Sequence, residues 1–556
     1  MTTRLWPCTW LLVAMLCSCK GGGGARVDGG AARGKVITVG MLQEPDSLWP
    51  LYKEMMASEE VLRAGQMTLA LFNEKWEHIP HAAQAIPTVE NGGVELLDGG
   101  ARMRTTWKLR DDIFWPDGTP LTAEDFIFSW SVARDPRQEI ADRMYVEKVE
   151  KMEALGPDKR TLVITWSQPF AYHANFRNFE PLPRHVVEPL YKEVGAGLKT
   201  HPYGRKPMLA GPFTVEDWQS GAFITLVRNP KATSPRWNPR VDRIIFKFIT
   251  QSNTVEAQLV SGAVDAISPI GMQFDQAQEI ERRRGNEFAF HYTDGLQWEH
   301  IDLNLDDPWL KDARMRRALA MGINRKALVD ALFQGKQPLA EGAVPPRRYD
   351  YNPATQPVPY DPAKAAALLD EMGFQKGADG IREKDGKKLQ LSIVTTAGNS
   401  TRERVEQIIQ ADLRKVGVDL VVENVPAKVF FGEITRRRKF KHMAMFAWSM
   451  DPLRNDENLW RCDYVPSEKN GWQGQNYGGW CNEEATKLLK EASRELDVEK
   501  RKGILHRVQE LWSADLPAIP LYFRSDVSIT RKNFRNWKPT GTQVPTTWNA
   551  HEWYLE

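Results

Sequence analysis

Residues 104–130 read RTTWKLRDDIFWPDGTPLTAEDFIFSW. The first part alternates polar and apolar side chains, the period of a half-buried strand. Pro116, Asp117, Gly118 and Thr119 then break the alternation with residue types that suit a tight turn. Thr122, followed by Ala123, Glu124 and Asp125, opens a helix, because a hydroxyl caps the first free amides and first-turn carboxylates suit the positive helix end. Phe126, Ile127 and Trp130 give that helix an apolar stripe. One segment thus predicts strand, turn and capped helix in direct succession.

Working outward, strand-like alternation recurs at 36–41, 95–109, 161–166, 213–218, 223–228 and 244–249. Helical spacing occupies 58–71, ending near Asn73, and then 312–319, 325–333, 362–372, 401–416 and 483–496. Strands and helices mix without a strict βαβ rhythm, so the chain is expected to be α/β with mixed sheets and several lobes. No fixed-period repeat is present. Of 556 residues, 42% are hydrophobic and 26% charged, enough to bury a large core split into two or three lobes. Net charge is +2 from 74 basic and 72 acidic residues, which lacks the basic field that nucleic acid would require. The arginine runs 282–284 and 436–438 read as solvated helix faces.

The N-terminus has its own character. Arg4 precedes an apolar stretch, residues 5–16, that is too short to span a bilayer and matches a signal-peptide core. It runs into Leu16-Cys17-Ser18-Cys19, which resembles the bacterial lipobox, so residues 1–18 are expected to be removed and Cys19 to receive the lipid. Residues 19–35 follow as a glycine-rich tether, whose end-to-end distance is about 20 Å for a flexible chain of that length. Among five cysteines only Cys462 and Cys481 lie beyond this region, and an isolated pair in an exported protein reads as one disulfide. No further ligand sits near them at zinc-like spacing, and no metal or other cofactor is expected.

The 104–130 segment resembles the signature of the family 5 solute-binding proteins, the dipeptide and oligopeptide binders of ATP-driven importers. Four more stretches match in the family's order: Gly211-Pro212-Phe213 with the hairpin 218–229; DARMRRALAMGINRKALVDALFQG at 312–335; IIQADLRKVGV at 408–418; and NYGGWCNEEATKLLKEA at 476–492 with PAIPLY at 517–522. One departure is Leu209-Ala210 before Gly211, where relatives carry Gly-Thr. The resemblance implies a periplasmic-binding-protein-like clamp with two hinged lobes and an extra domain. Domain I would comprise 36–75, 207–299 and 521–556, domain II 76–206, and domain III 300–520. Two crossing strands, near 301–305 and 521–529, would form the hinge. Ligand would lie between domains I and III, and would favour the closed form by the extra contacts it makes there.

The resemblance also points to residues. Peptide-binding members hold the ligand's free ammonium with a carboxylate that matches Asp451, in Phe446-Ala447-Trp448-Ser449-Met450-Asp451-Pro452; the turn alternative is that Asp451 merely starts a bend before Pro452. A desolvated ammonium needs both charge and hydrogen bonds restored, which a carboxylate supplies. Trp448 would wall the cleft. Residues 443–450 contain no cation for the ligand's carboxylate, so Arg402 or Arg404 is expected to serve. Glu44 and Trp49, in QEPDSLWP, match a segment bordering the cleft. The implied partners are a peptide or peptide-like ligand, the permease subunits of an ABC importer and, through the lipid, a bacterial membrane; the protein is expected to be an extracytoplasmic monomer. The same fold serves binders of nickel chelates, haem and oligosaccharides, and a tethered sensor or chaperone role remains an alternative. A hydrolase is disfavoured because the chain offers no Gly-x-Ser-x-Gly, His-Glu-x-x-His or phosphate-binding loop.

Overall fold

The computed structural model describes residues 35–556 other than 54, 139, 141–143, 176–179, 250, 252–253, 356–357, 454–455 and 543. The signal segment, Cys19 and the tether up to residue 34 lie outside the described residues.

A mixed sheet of ten strands organises the body, in the order Asp419–Val422, Gln390–Val394, Met443–Ser449, Phe288–Leu303, Ala518–Arg531, Ala266–Ile267, Val36–Met41, Arg243–Phe248, Phe223–Arg228 and Phe213–Gln219. Val36–Met41 pairs in parallel with Arg243–Phe248, whereas the two long central strands are antiparallel. Those central strands reach further than the short crossing segments expected from the sequence: Phe288 faces Arg531 at one end and Asp302 faces Ala518 at the other. Their register slips between Asp294 and Gln297. Such a bulge bends the strand and re-aims its side chains. Gly295 is required here, since a Cβ would stand 2.4 Å from the Arg524 carbonyl oxygen. Gly541, at a φ of +68°, lies over the same kink and accepts the Leu296 N–H at 3.1 Å.

A separate four-stranded sheet, Val94–Leu97, Arg102–Lys108, Thr161–Trp166 and Val149–Leu155, carries the 104–130 segment. The expected single strand over 95–109 is a hairpin, because Gly99 and Gly100 take positive φ and turn the chain. Helix Ala123–Arg134 starts at Thr122 as expected, with the Thr122 N–H donating to Asp125 Oδ2 at 3.0 Å. It buries Phe126, Phe128 and Val132, while Ile127 and Trp130 pack half-buried on the same core.

The helix expected over 58–71 stops early, as Met56–Arg63. Its continuation is claimed by tertiary pairing: the Gly65 carbonyl accepts from Gly211 N–H at 2.7 Å, and Ala70–Phe72 becomes a strand against His78–Pro80. Helix propensity is a weak prior beside such contacts.

Three large apolar clusters fill the body. One surrounds Trp298, Leu319 and Trp512, a second Trp107, Trp115 and Trp166, and a third Val39, Phe246 and Trp553. Cys462 and Cys481 form a disulfide with Cα atoms 4.5 Å apart. Among the described residues no helix is long and apolar enough to cross a membrane.

Candidate ligand cleft

The kink in the central strands lies beneath a cleft. Two cavities of about 380 Å³ each adjoin, with Pro269, Ile270, Gln297 and Asp526 lining both. Leu296, Ser449, Thr542 and Pro545 line one end; Asn399, Thr401, Arg404 and Arg524 line the other. Thr542 and Val544 lead on to a smaller cavity bordered by Asp451, Asn175 and Arg63.

Local structure places the charges. The period of two along Ala518–Arg531 puts Arg524 and Asp526 on one strand face, toward the cleft. Asn399 caps helix Ser400–Lys415 by accepting the Arg402 N–H at 3.1 Å, which sets Arg402 and Arg404 in its first turn. Their fates differ. Arg402 is buried and turned away from the expected role: its Nε donates to Glu299 Oε1 at 2.7 Å and its Nη1 to Thr396 Oγ1 at 3.0 Å. Arg404 stays exposed and lines the cleft.

Glu299 is wholly buried and is shared, since Arg524 donates to its other oxygen from Nε at 2.9 Å and Nη2 at 2.6 Å. Burial would raise the Glu299 carboxyl, but Arg524 and Arg402 outweigh it and hold it below the ordinary range. Arg524 Nη1 also donates to Gln297 Oε1 at 3.3 Å.

Two carboxyls in the cleft have the opposite character. Glu60, on helix Met56–Arg63, is only 2% exposed, and its Oε1 has no hydrogen-bond partner among the described residues. Burial pushes it up to about 8, with Thr546 backbone N–H opposing and Asp526 adding to the rise. Burial likewise raises Asp526 to about 6 against the pull of Arg524.

Asp451 follows strand Met443–Ser449. Asn175 Nδ2 donates to both its oxygens at 2.8 Å, and Leu453 N–H donates to Oδ1 at 2.9 Å. The turn is therefore present, and the same carboxylate borders the small cavity. Behind it Arg63, Glu59, Lys53 and Glu180 form a buried ionic network, with Lys53 Nζ 2.9 Å from Glu180 Oε1. Trp448 is half-buried and packs against Phe446 and Tyr477, with ring centroids 5.3 and 5.4 Å away. Glu44 is engaged elsewhere: its carboxylate accepts from Trp218 Nε1 at 2.7 Å and Gly221 N–H at 2.9 Å, tying the 213–228 hairpin. Trp49, 1% exposed, is a core residue packed on Tyr203 at 4.9 Å. Glu60, Glu299, Arg524 and Asp526 escaped the sequence reading. The signal for the last two was a pair of charges two residues apart inside the otherwise apolar run AIPLYFRSDVSI.

Residues 102–470 match the model of the bacterial extracellular solute-binding proteins, family 5, middle region, which is more than half of the chain. The chain belongs to this family. Across 98% of its length it is 23% identical to the oligopeptide-binding protein AppA of Bacillus subtilis (strain 168), covering 97% of that protein. It is 26% identical to the glutathione-binding protein GsiB of Shigella dysenteriae over 77% of this chain and 79% of that one. The oligopeptide-binding protein of Thermus thermophilus, solved with a pentapeptide, superposes with a TM-score of 0.70 at 30% identity, over 94% of this chain and 96% of that one. Family 5 is a family of extracellular solute binders, and the mixed α/β fold expected from the sequence is the one this family adopts.

Proposed function

We propose that this family 5 protein captures oligopeptides in the cleft and delivers them to an ABC-type importer. The observation that carries the reading is an open strand edge. Gln390–Val394 pairs with Met443–Ser449 only at Met443 and Ala444, so among the described residues no strand covers the outer edge of 446–448. That edge runs toward Ser449 in the cleft wall and Asp451 beyond it. An extended peptide adds to such an edge through main-chain hydrogen bonds, with its side chains left to pockets. Asp451 then receives the peptide's ammonium. Arg404, exposed in the first turn of a 16-residue helix whose N-terminus favours anions, receives the carboxylate. The relatives that bind oligopeptides support the substrate class.

In this reading the lobes are those expected from the sequence, 36–75 with 207–299 and 521–556, 76–206, and 300–520. The bulge at 294–297 is the hinge across which the first and last of them close. The lipobox-like Leu16-Cys17-Ser18-Cys19 supports anchoring through Cys19, with the body outside the cytoplasm.

The test is calorimetric, with one oligopeptide in free and N-acetylated form against wild type and Asp451→Ala. Losing one partner of a buried charge pair costs about 2–5 kcal/mol. Asp451→Ala should therefore weaken the free peptide by about thirtyfold to several thousandfold. Acetylation should harm wild type and spare the variant. Equal losses in both proteins would make Asp451 and the ammonium independent, leaving Asp451 as a turn residue alone.

A further inference from the structure

We infer that Glu60 and Asp526 form a cation-accepting subsite in the cleft, which selects peptides carrying a basic side chain at one position. The inference rests on the peptide reading and sharpens it.

Both carboxyls line the same cavity, one from helix Met56–Arg63 and the other from strand Ala518–Arg531. Glu60 is nearly inaccessible, yet it borders this space, and its buried Oε1 has no donor among the described residues. No lysine, arginine or histidine among the described residues lines that cavity. Arg524, the cation that acts on Asp526, spends Nε and Nη2 on Glu299 and Nη1 on Gln297. Arg63 and Glu59, on the helix of Glu60, pair within the network of Lys53 and Glu180, Arg63 through its Nη2 while its Nε and Nη1 have no partner among the described residues. Asp275 and Arg404 line the adjoining cavity, and the 540–546 segment adds no charge.

A buried carboxyl with an empty acceptor is costly unless something neutralises it. In the ligand-free protein a proton on Glu60 does so, since burial pushes that group up to about 8, whereas Asp526, at about 6, is largely ionised at neutral pH. An ammonium or guanidinium entering between them supplies charge and donors together. It displaces that proton to solvent, so binding releases protons near neutral pH. An uncharged side chain of equal size leaves the acceptor unfilled and gains only the burial of its apolar surface.

The test uses alanine tetrapeptides with lysine, or its uncharged isostere norleucine, placed at each position in turn. Binding is measured by calorimetry in two buffers of different ionisation enthalpy. At one position lysine should bind wild type about tenfold tighter or more, a 1.4 kcal/mol preference, with proton release. Glu60→Gln and Asp526→Asn should each reduce that preference to about threefold or less, and Glu60→Gln should abolish the release. Equal binding of lysine and norleucine at every position in wild type overturns the subsite while leaving the peptide reading intact, and needs no variant. A preference that stays at about tenfold or more in Glu60→Gln also overturns it. Failure of both series to bind overturns the peptide reading and this inference with it.

Discussion

Arg402 and Arg404 stand two residues apart in one helical turn, and the structure gives them separable roles. Consider Arg402→Met. It removes a guanidinium that is almost fully buried and bonded to Glu299 and Thr396, and leaves Glu299 with Arg524 as its remaining cation. Breaking a buried pair costs about 3–5 kcal/mol when a partner is stranded. Because Arg524 still bonds one Glu299 oxygen, the lower end applies, ~3 kcal/mol. For a unit the size of residues 300–520 this corresponds to about 6–12 °C in melting temperature, at ~2–4 °C per kcal/mol. The effect has a pH signature. Glu299 is held below its ordinary range, so its pairing stabilises the fold above about pH 4.5 and is lost as pH falls through the lower folded value. The gap between wild type and variant should therefore close in acid. Arg404→Met should leave the melting curve within about 0.5 kcal/mol, as for exposed surface residues, and should weaken a free peptide but not its C-terminal amide. The assay is thermal denaturation from pH 3 to pH 8, paired with calorimetry on the two peptides. If Arg402→Met melted like wild type at pH 7 while losing discrimination between carboxylate and amide, the assignment would be refuted.

Glu60 supplies a second pH-dependent prediction of opposite sign. Its folded value lies near 8 against the usual 4.5, so the folded state holds the extra proton and wild type loses stability as pH rises between those values. Glu60→Gln should match wild type at pH 5 and exceed it at pH 9, by at most about 5 kcal/mol; identical stability curves in urea at both pH values would contradict the burial argument. For the disulfide, non-reducing peptide mapping should recover the Cys462 and Cys481 peptides linked, and Cys481→Ser should cost about 3 kcal/mol by loop entropy. Two freely alkylated thiols in the native protein would count against it.

What could be read in the sequence followed from local pattern. The turn and cap of residues 116–125 use chemistry that acts within a few residues, so the helix at Ala123–Arg134 was legible from Thr122 and Asp125. The cleft charges were not, since their partners are remote: Glu299 lies 103 residues from Arg402 and 225 from Arg524. An arginine in the first turn of a helix looks the same in sequence whether it meets solvent or a buried carboxylate. Arg402 and Arg404 diverge because Arg402 lies on the buried face of the helix with Val405, Glu406 and Ile409, and Arg404 on its exposed face. Glu44 and Trp49 misled for the same reason, their neighbours being the 213–228 hairpin and Tyr203. The early end of helix Met56–Arg63 likewise depends on Gly211, far along the chain.

The central claim is that the cleft holds peptides, and native mass spectrometry of the protein as purified from its own cells tests it most directly. Binding through main-chain groups along an open strand edge tolerates many sequences. The account therefore predicts a ladder of bound masses that fragment to amino-acid residues, enriched in lysine and arginine by the Glu60 and Asp526 subsite. A single sharp mass increment matching a metal chelate or a sugar would contradict it.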